Sequence, residues 1–204
     1  MSEALIVVDV QNDFCPGGAL AVADGDAVVG PINRLMERFP VVALTQDWHP
    51  VDHLSFAASH PGAAPFSTTL AFYGPQVLWP VHCVQGSAGA AFHARLAVDR
   101  ADIVIRKGFR RTIDSYSTFF ENDRATPTGL AGYLRERGVT AVTLAGLATD
   151  FCVRYSAVDA ARLGFAVTVV EDACRAIDLD GSLAQAWGDM AAHGVRRMET
   201  AALA

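Results

Sequence analysis

Five short apolar runs, rich in β-branched residues, recur along the chain, and each is followed by a segment of helical character. They are Ala4 to Val8, Val41 to Thr45, Asp102 to Ile105, Ala141 to Leu144 and Phe165 to Val170. A strand with one wet face alternates apolar and polar residues, whereas a run apolar throughout is buried on both faces, as in a parallel sheet covered by helices. Between the runs, Val28, Ile32, Leu35, Met36 and Phe39 fall on one helical face. Leu130, Tyr133 and Leu134 do the same in a second helix, which Gly138 should end. A third helix is expected after Asp150 up to Gly164, and a fourth from about Ser182 to His193, stopped by Gly194. Strand, helix and glycine stop in repeated order predict an α/β fold: three layers, a mainly parallel sheet with helices on both faces, of Rossmann type. No internal repeat or low-complexity linker interrupts it, so residues 1–204 read as a single domain.

Composition narrows the function classes. The chain is 51% hydrophobic and 19% charged, too apolar for a disordered protein. Its 16 Lys and Arg against 22 Asp and Glu leave a net charge of −6, which argues against a nucleic-acid partner bound over a broad basic surface. The longest stretch free of charged residues, His53 to Ala94, is broken by Pro61, Pro65, Pro75 and Pro80 and cannot be a membrane helix, so no membrane partner is expected. The first ten residues put Glu3 and Asp9 around a short apolar run, without a basic leader or small-residue cleavage site, and no secretory signal is expected. Cys15, Cys83, Cys152 and Cys174 are scattered without a C-x-x-C pair, which suits free thiols in a reducing cytoplasm. The segment from His53 to Ala94 has little periodicity, and loops of such length in compact domains are usually functional.

In open α/β sheets ligands bind beyond the carboxyl ends of the strands, so the first polar residues after each apolar run matter most. Asp9 closes the first run, Asp47 and His49 follow the second, Lys107 the third, and Asp150 with Cys152 the fourth. One aspartate at a strand end is commonplace as a cap; Asp, Lys and Cys converging on one sheet edge is not. Cys152 stands where the fourth strand passes into a helix, whose N-terminal N–H groups lower a thiol pKa and can receive an oxyanion. From that segment alone, ordinary packing of a lone cysteine on an apolar helix is the commoner explanation. Cys15, Cys83 and Cys174 keep the packing explanation. Asp47, His49 and His53, with His82 across the long loop, offer one carboxylate and three imidazoles, a set suited to a divalent transition ion such as Zn, Fe or Mn. His60, His93 and His193 read as surface or packing residues.

Five separated motifs bring these residues together: Val8-Asp9-Val10-Gln11-Asn12-Asp13-Phe14, Asp47-Trp48-His49, Trp79-Pro80-Val81-His82-Cys83-Val84, Lys107-Gly108 and Ala148-Thr149-Asp150-Phe151-Cys152-Val153. In that order they closely resemble the nicotinamidases among the isochorismatase-like cysteine hydrolases, from Ala4 to about Ala176. The resemblance implies a catalytic triad of Asp9, Lys107 and Cys152, with the thiolate attacking the carboxamide of nicotinamide and a thioester then hydrolysed to nicotinate. It implies an oxyanion hole from the backbone N–H groups of Ala148 and Cys152, in a turn with a cis peptide at Leu147 to Ala148. It implies one divalent metal held by Asp47, His49 and His82, with His53 as the more variable ligand, and orienting the pyridine nitrogen. Phe14, Trp79 and Tyr116 match aromatic positions around the ring, where core packing competes as the explanation. The implied partner is the small molecule nicotinamide, with pyrazinamide as a second substrate, and a homo-oligomer is compatible with the sequence.

Two features depart from the family's pattern. Phe151 stands where some relatives carry a polar residue, and Arg110 and Arg111 follow the Lys-Gly pair, where they could alter the mouth of the pocket. Asp13 and Asp150 are expected to support the site, Asp150 as a cap for the helix carrying Cys152. Rival readings are a different small-amide amidase, a thiol or metal sensor without catalysis, and a metallohydrolase whose metal-bound water attacks directly.

Overall fold

A computed structural model describes residues 2–203. Six strands form one sheet: β1 (Ser2–Val8), β2 (Val41–Asp47), β5 (Ile103–Lys107), β6 (Val139–Leu147), β7 (Ala166–Arg175) and β8 (Arg196–Met198). Their order is β5-β2-β1-β6-β7-β8, and every pairing is parallel. Ala4, Ile6 and Val8 of β1 enter one core and Leu5 and Val7 the other, which is why this strand is apolar at consecutive positions. Helix α1 (Val29–Met36) covers one face through Val29, Ile32, Leu35 and Met36. Helices α2 (Leu130–Glu136), α3 (Arg154–Arg162) and α4 (Ser182–Ala192) contribute Leu130, Leu134, Ala157, Val158, Ala186 and Met190 to the other. The three-layer α/β expectation holds, as do all five strands and all four helices.

Three strands were not foreseen. β8 is three residues of edge strand, Arg-Arg-Met, largely exposed, and a polar edge carries no apolar run to read. Within the long segment, β3 (Thr68–Ala71) and β4 (Gly74–Val77) form a separate antiparallel hairpin. All four cysteines are free and buried. Among the described residues no helix is long and apolar enough to cross a membrane.

The strand order positions the site. From β1 the chain steps outward through β2 to β5, and later from β6 through β7 to β8 on the other side, so the order reverses between β1 and β6. A crevice beyond the carboxyl ends at such a reversal is where open α/β sheets bind ligands. Asp9 follows β1 there, and Cys152 follows β6. Gly146 sits opposite Val8 at φ +128°, and a Cβ on it would lie 2.1 Å from the Val8 carbonyl oxygen. Only glycine lets the two strand ends approach this closely.

Candidate active site

Lys107, the last residue of β5, is fully buried and is the centre of the site. Its Nζ lies 2.8 Å from Asp9 Oδ2, donates to Asp47 Oδ1 and to the Ser115 carbonyl at 2.8 Å, and stands 3.5 Å from Cys152 Sγ. Burial opposes its charge, but the Asp47 and Asp9 carboxylates outweigh it and hold the ammonium well above the usual lysine range. Lys107 is therefore a fixed positive charge and not a proton carrier.

The two carboxylates that share this ammonium are pushed apart. Burial raises Asp9, and the Lys107 charge opposes the rise without cancelling it. For Asp47 burial also acts upward, but Lys107, His49 and His82 overcome it and the carboxyl falls well below the usual range. Such a split favours an anionic Asp47 and leaves Asp9 as the carboxylate more able to hold a proton. Asp9 Oδ1 accepts from the Thr45 hydroxyl at 2.7 Å, while Oδ2 faces the Lys107 ammonium at 2.8 Å. Ligand atoms of Asp9, Asp47 and Cys152 all lie within 4.8 Å of one another.

Cys152 departs from expectation in one respect. It lies in a π-helical turn, Thr149–Val153, ahead of α3, and the Leu147–Ala148 peptide before that turn is cis. The expected low thiol pKa is not met: burial pushes it well up, Asp9 and Asp47 add to the rise, and Lys107 opposes it. Removal of the sulfur from water costs the thiolate more than Lys107 returns. The raised pKa favours the thiol over the thiolate at rest.

Beside this cluster, Asp47, His49 and His82 bring ligand atoms within 4.8 Å of one another, all three side chains buried. The His49 Nδ1 faces the Gly108 carbonyl at 2.8 Å and the His82 Nδ1 faces the Pro80 carbonyl at 2.8 Å, which leaves each Nε2 as the free ligand nitrogen. Burial and the neighbouring His49 push His82 down to about 4, so it is neutral and able to bind a metal. Gly108 has φ +62°, and a Cβ there would lie 2.4 Å from the His49 ring, which explains the glycine after Lys107. The two histidine loops are joined where His49 N–H donates to the Cys83 carbonyl and Gln85 N–H to that of His49. One carboxylate with two imidazoles, each oriented by a carbonyl, fits a divalent transition ion.

His53 is not in this triangle. It stacks on His49 with ring centres 4.3 Å apart, and both its nitrogens have protein partners: Nδ1 with the Ser55 hydroxyl at 2.7 Å and Nε2 with the Ile113 carbonyl at 3.1 Å. The expected ligand His53 thus stands apart from Asp47 and His82 and packs behind His49. It also approaches Asp114, with which it and His49 form a second buried cluster.

A narrow cavity opens onto Cys152 and the metal-ligand triangle. Phe14, Trp79 and Tyr116 line it as expected; Leu20, Asp114, Phe151 and Ile177 also line it and were not expected to. Trp79 and Phe151 meet edge to face at 4.9 Å, and Tyr116 and Phe151 at 5.7 Å, so three aromatic rings form one wall. Arg110 and Arg111 do not reach the mouth: they pair with Glu121 and Asp52. Asp13 ties the turn after β1 to the His82 loop, accepting from Ala19 N–H at 3.1 Å and Cys83 N–H at 2.7 Å. Asp150 does not cap its own helix; it accepts from the N–H groups of Ile177 and Asp178 and the Ser182 hydroxyl, holding the loop into α4. His60, His93 and His193 lie outside the cavity.

Comparisons with known proteins agree with this geometry. Residues 3–202 match the isochorismatase domain, and the chain belongs to the isochorismatase family. It is 55% identical to a nicotinamidase of Acinetobacter baylyi, over 97% of this chain and 92% of that one. Among solved structures, a nicotinamidase/pyrazinamidase of Acinetobacter baumanii superposes with a TM-score of 0.98 at 55% identity, covering 100% of this chain and 98% of that one. A pyrazinamidase of Pyrococcus horikoshii in complex with zinc superposes with a TM-score of 0.78 at 34% identity, covering 98% and 99%.

Proposed function

We propose that this chain hydrolyses nicotinamide to nicotinate and ammonia, and deamidates pyrazinamide, in one domain spanning residues 1–204. The observation that carries the reading is the convergence of buried Asp9 and Lys107 on Cys152, which lines a cavity walled by Trp79, Tyr116 and Phe151. A flat aromatic-lined slot suits a pyridine ring, and the sulfur at its end suits the carboxamide. The relatives' activity on nicotinamide and pyrazinamide agrees with it.

Cys152 passes its proton to Asp9 Oδ2 as the sulfur forms a bond to the carboxamide carbon. The N–H groups of Ala148 and Cys152 receive the oxyanion. Asp9 returns the proton to the leaving nitrogen, the C–N bond breaks, and ammonia departs from a Cys152 thioester. Asp9 next takes a proton from water as the water oxygen attacks the thioester carbon; the C–S bond breaks, the sulfur recovers its proton from Asp9, and the product acid loses its remaining proton to solvent as nicotinate. Throughout, Lys107 holds Asp9 in place and offsets the negative charge that moves between sulfur and carboxylate. Asp47, His49 and His82 would hold one divalent ion of the Zn, Fe or Mn type, which when bound supplies a Lewis-acid contact for the pyridine nitrogen. Four free thiols suit a cytoplasmic enzyme.

An ammonia-release assay on nicotinamide, with and without chelator, tests the reading. Release that chelation suppresses supports it; no release from metal-loaded protein overturns it.

A further inference from the structure

The β3–β4 hairpin lies outside the main sheet, and a two-stranded hairpin has little stability of its own. Its turn side is exposed, with Leu70 81% and Phe72 72% accessible, yet Gln76 of β4 is 1% accessible. Every polar atom of that side chain is engaged. Its Nε2 donates to Asp114 Oδ2 at 2.7 Å, to the Tyr116 hydroxyl at 3.0 Å and to the Val77 carbonyl at 2.8 Å. Its Oε1 accepts from the Tyr73 hydroxyl at 2.9 Å and Asn122 Nδ2 at 3.2 Å. The amide orientation is fixed, because a reversed amide would set its oxygen against both the Asp114 carboxylate and the Val77 carbonyl.

Asp114 and Tyr116 line the cavity, and Gln76 does not. Tyr116 is held from its other side by Trp79 Nε1 at 3.2 Å, and its backbone N–H donates to Asn122 Oδ1 at 3.0 Å. Gln76 thus joins the hairpin to the two wall residues and, through Tyr116, to the aromatic wall. No other hairpin side chain reaches both Asp114 and Tyr116. We propose that Gln76 is a positioning residue for substrate affinity: by holding Asp114 and Tyr116 it sets the wall against which the ring is bound, without touching the substrate or the sulfur.

The inference rests on the nicotinamidase reading, so turnover by the parent protein is measured first. Absence of parent turnover would remove that reading, whereas the outcomes below bear on Gln76 alone. Gln76→Leu keeps the bulk and removes the donors and acceptor. It should raise the nicotinamide KM about tenfold, with kcat within about threefold and metal content unchanged. Gln76→Glu sets a second carboxylate against Asp114 and should raise KM more, about thirtyfold. In the Asp114→Asn background the same Glu again faces a donor, and KM should return to within about threefold of Asp114→Asn alone. Tyr73→Phe removes a hydroxyl that donates to Gln76 Oε1 and also accepts from the Asp114 N–H at 3.3 Å, and should raise KM about threefold. An unchanged KM in Gln76→Leu or Tyr73→Phe would overturn the inference. So would strict additivity of the Glu and Asn changes, or a fall in kcat that tracks lost metal.

Discussion

The two halves of the cavity are built differently. Asp9, Lys107 and Cys152 stand at or just beyond the carboxyl ends of β1, β5 and β6, where parallel ladders fix the backbone and near-complete burial fixes the side chains. His49, Trp79, His82, Asp114 and Tyr116 lie outside the main sheet's strands, on segments tied by side chains and carbonyls: Gly108 and Pro80 orient the histidines, Asp13 braces the His82 loop, and Gln76 holds Asp114. On the proposed reading, bond-breaking chemistry sits at the strand ends of the parallel sheet, and substrate selection on segments held by side-chain and carbonyl contacts. Asp47 is the joint, a β2 strand end that meets Lys107 through Oδ1 and His49 through Oδ2.

If that division holds, substitutions at the strand ends act on the chemical step and substitutions in the loops act on binding. The largest effect belongs to Cys152→Ala. It should remove turnover by at least about a thousandfold while fold and metal content persist, since a methyl can form no thioester. Circular dichroism, elemental analysis and an activity assay check it together; substantial turnover by the alanine variant would transfer the attack to a metal-bound water.

Asp9→Asn comes next. Loss of the proton carrier should lower kcat by about 10²- to 10⁴-fold with nicotinamide affinity little changed, measured by single-turnover rates and product binding. The raised Asp9 carboxyl also sets a pH limit. As pH falls through it Asp9 takes up a proton and cannot accept another from Cys152, so kcat/KM should decline at a pH above the ordinary carboxylate range. A decline confined to the pH range in which metal is lost would contradict this assignment.

The substrate contrast tests the loop half. Benzamide has the carboxamide and nearly the shape of nicotinamide but no ring nitrogen, so kcat/KM should favour nicotinamide by at least about a hundredfold, and pyrazinamide should be turned over. Equal turnover of benzamide would show that Trp79, Tyr116 and Phe151 alone select the ring. A smaller effect separates the histidines: His49→Ala or His82→Ala should weaken bound metal by about 10- to 100-fold, while His60→Ala and His93→Ala leave it unchanged. His53→Ala should fall between, because it acts through the His49 ring.

The same division decides what the sequence disclosed. A polar residue that ends an apolar run is visible as an interruption, so Asp9, Asp47, Lys107 and Cys152 stand out, as do the strands and helices on which they sit. Asp114, Leu20 and Ile177 lie in segments without periodicity, and their approach to the cavity depends on bonds such as Gln76 to Asp114 and Asp150 to Ile177, which join residues 38 and 27 positions apart. Phe151 was visible as an unusual neighbour of Cys152, but not as a wall residue, because a π-helical turn turns its ring toward Trp79. His53 has the spacing of a ligand; only its contacts with Ser55 and Ile113 reveal that both nitrogens are in use. The Cys152 thiol misled in the other direction, since a helix start is legible in sequence while the depth of burial is not.

The central claim is that Cys152 forms an acyl-enzyme. Hydroxylamine intercepts thioesters, so turnover in its presence should yield nicotinohydroxamate beside nicotinate. The measurement is that product ratio, taken with nicotinamide and again with methyl nicotinate, which differ only in leaving group. A shared thioester predicts the same ratio from both; no hydroxamate, or a ratio that depends on the leaving group, would contradict it.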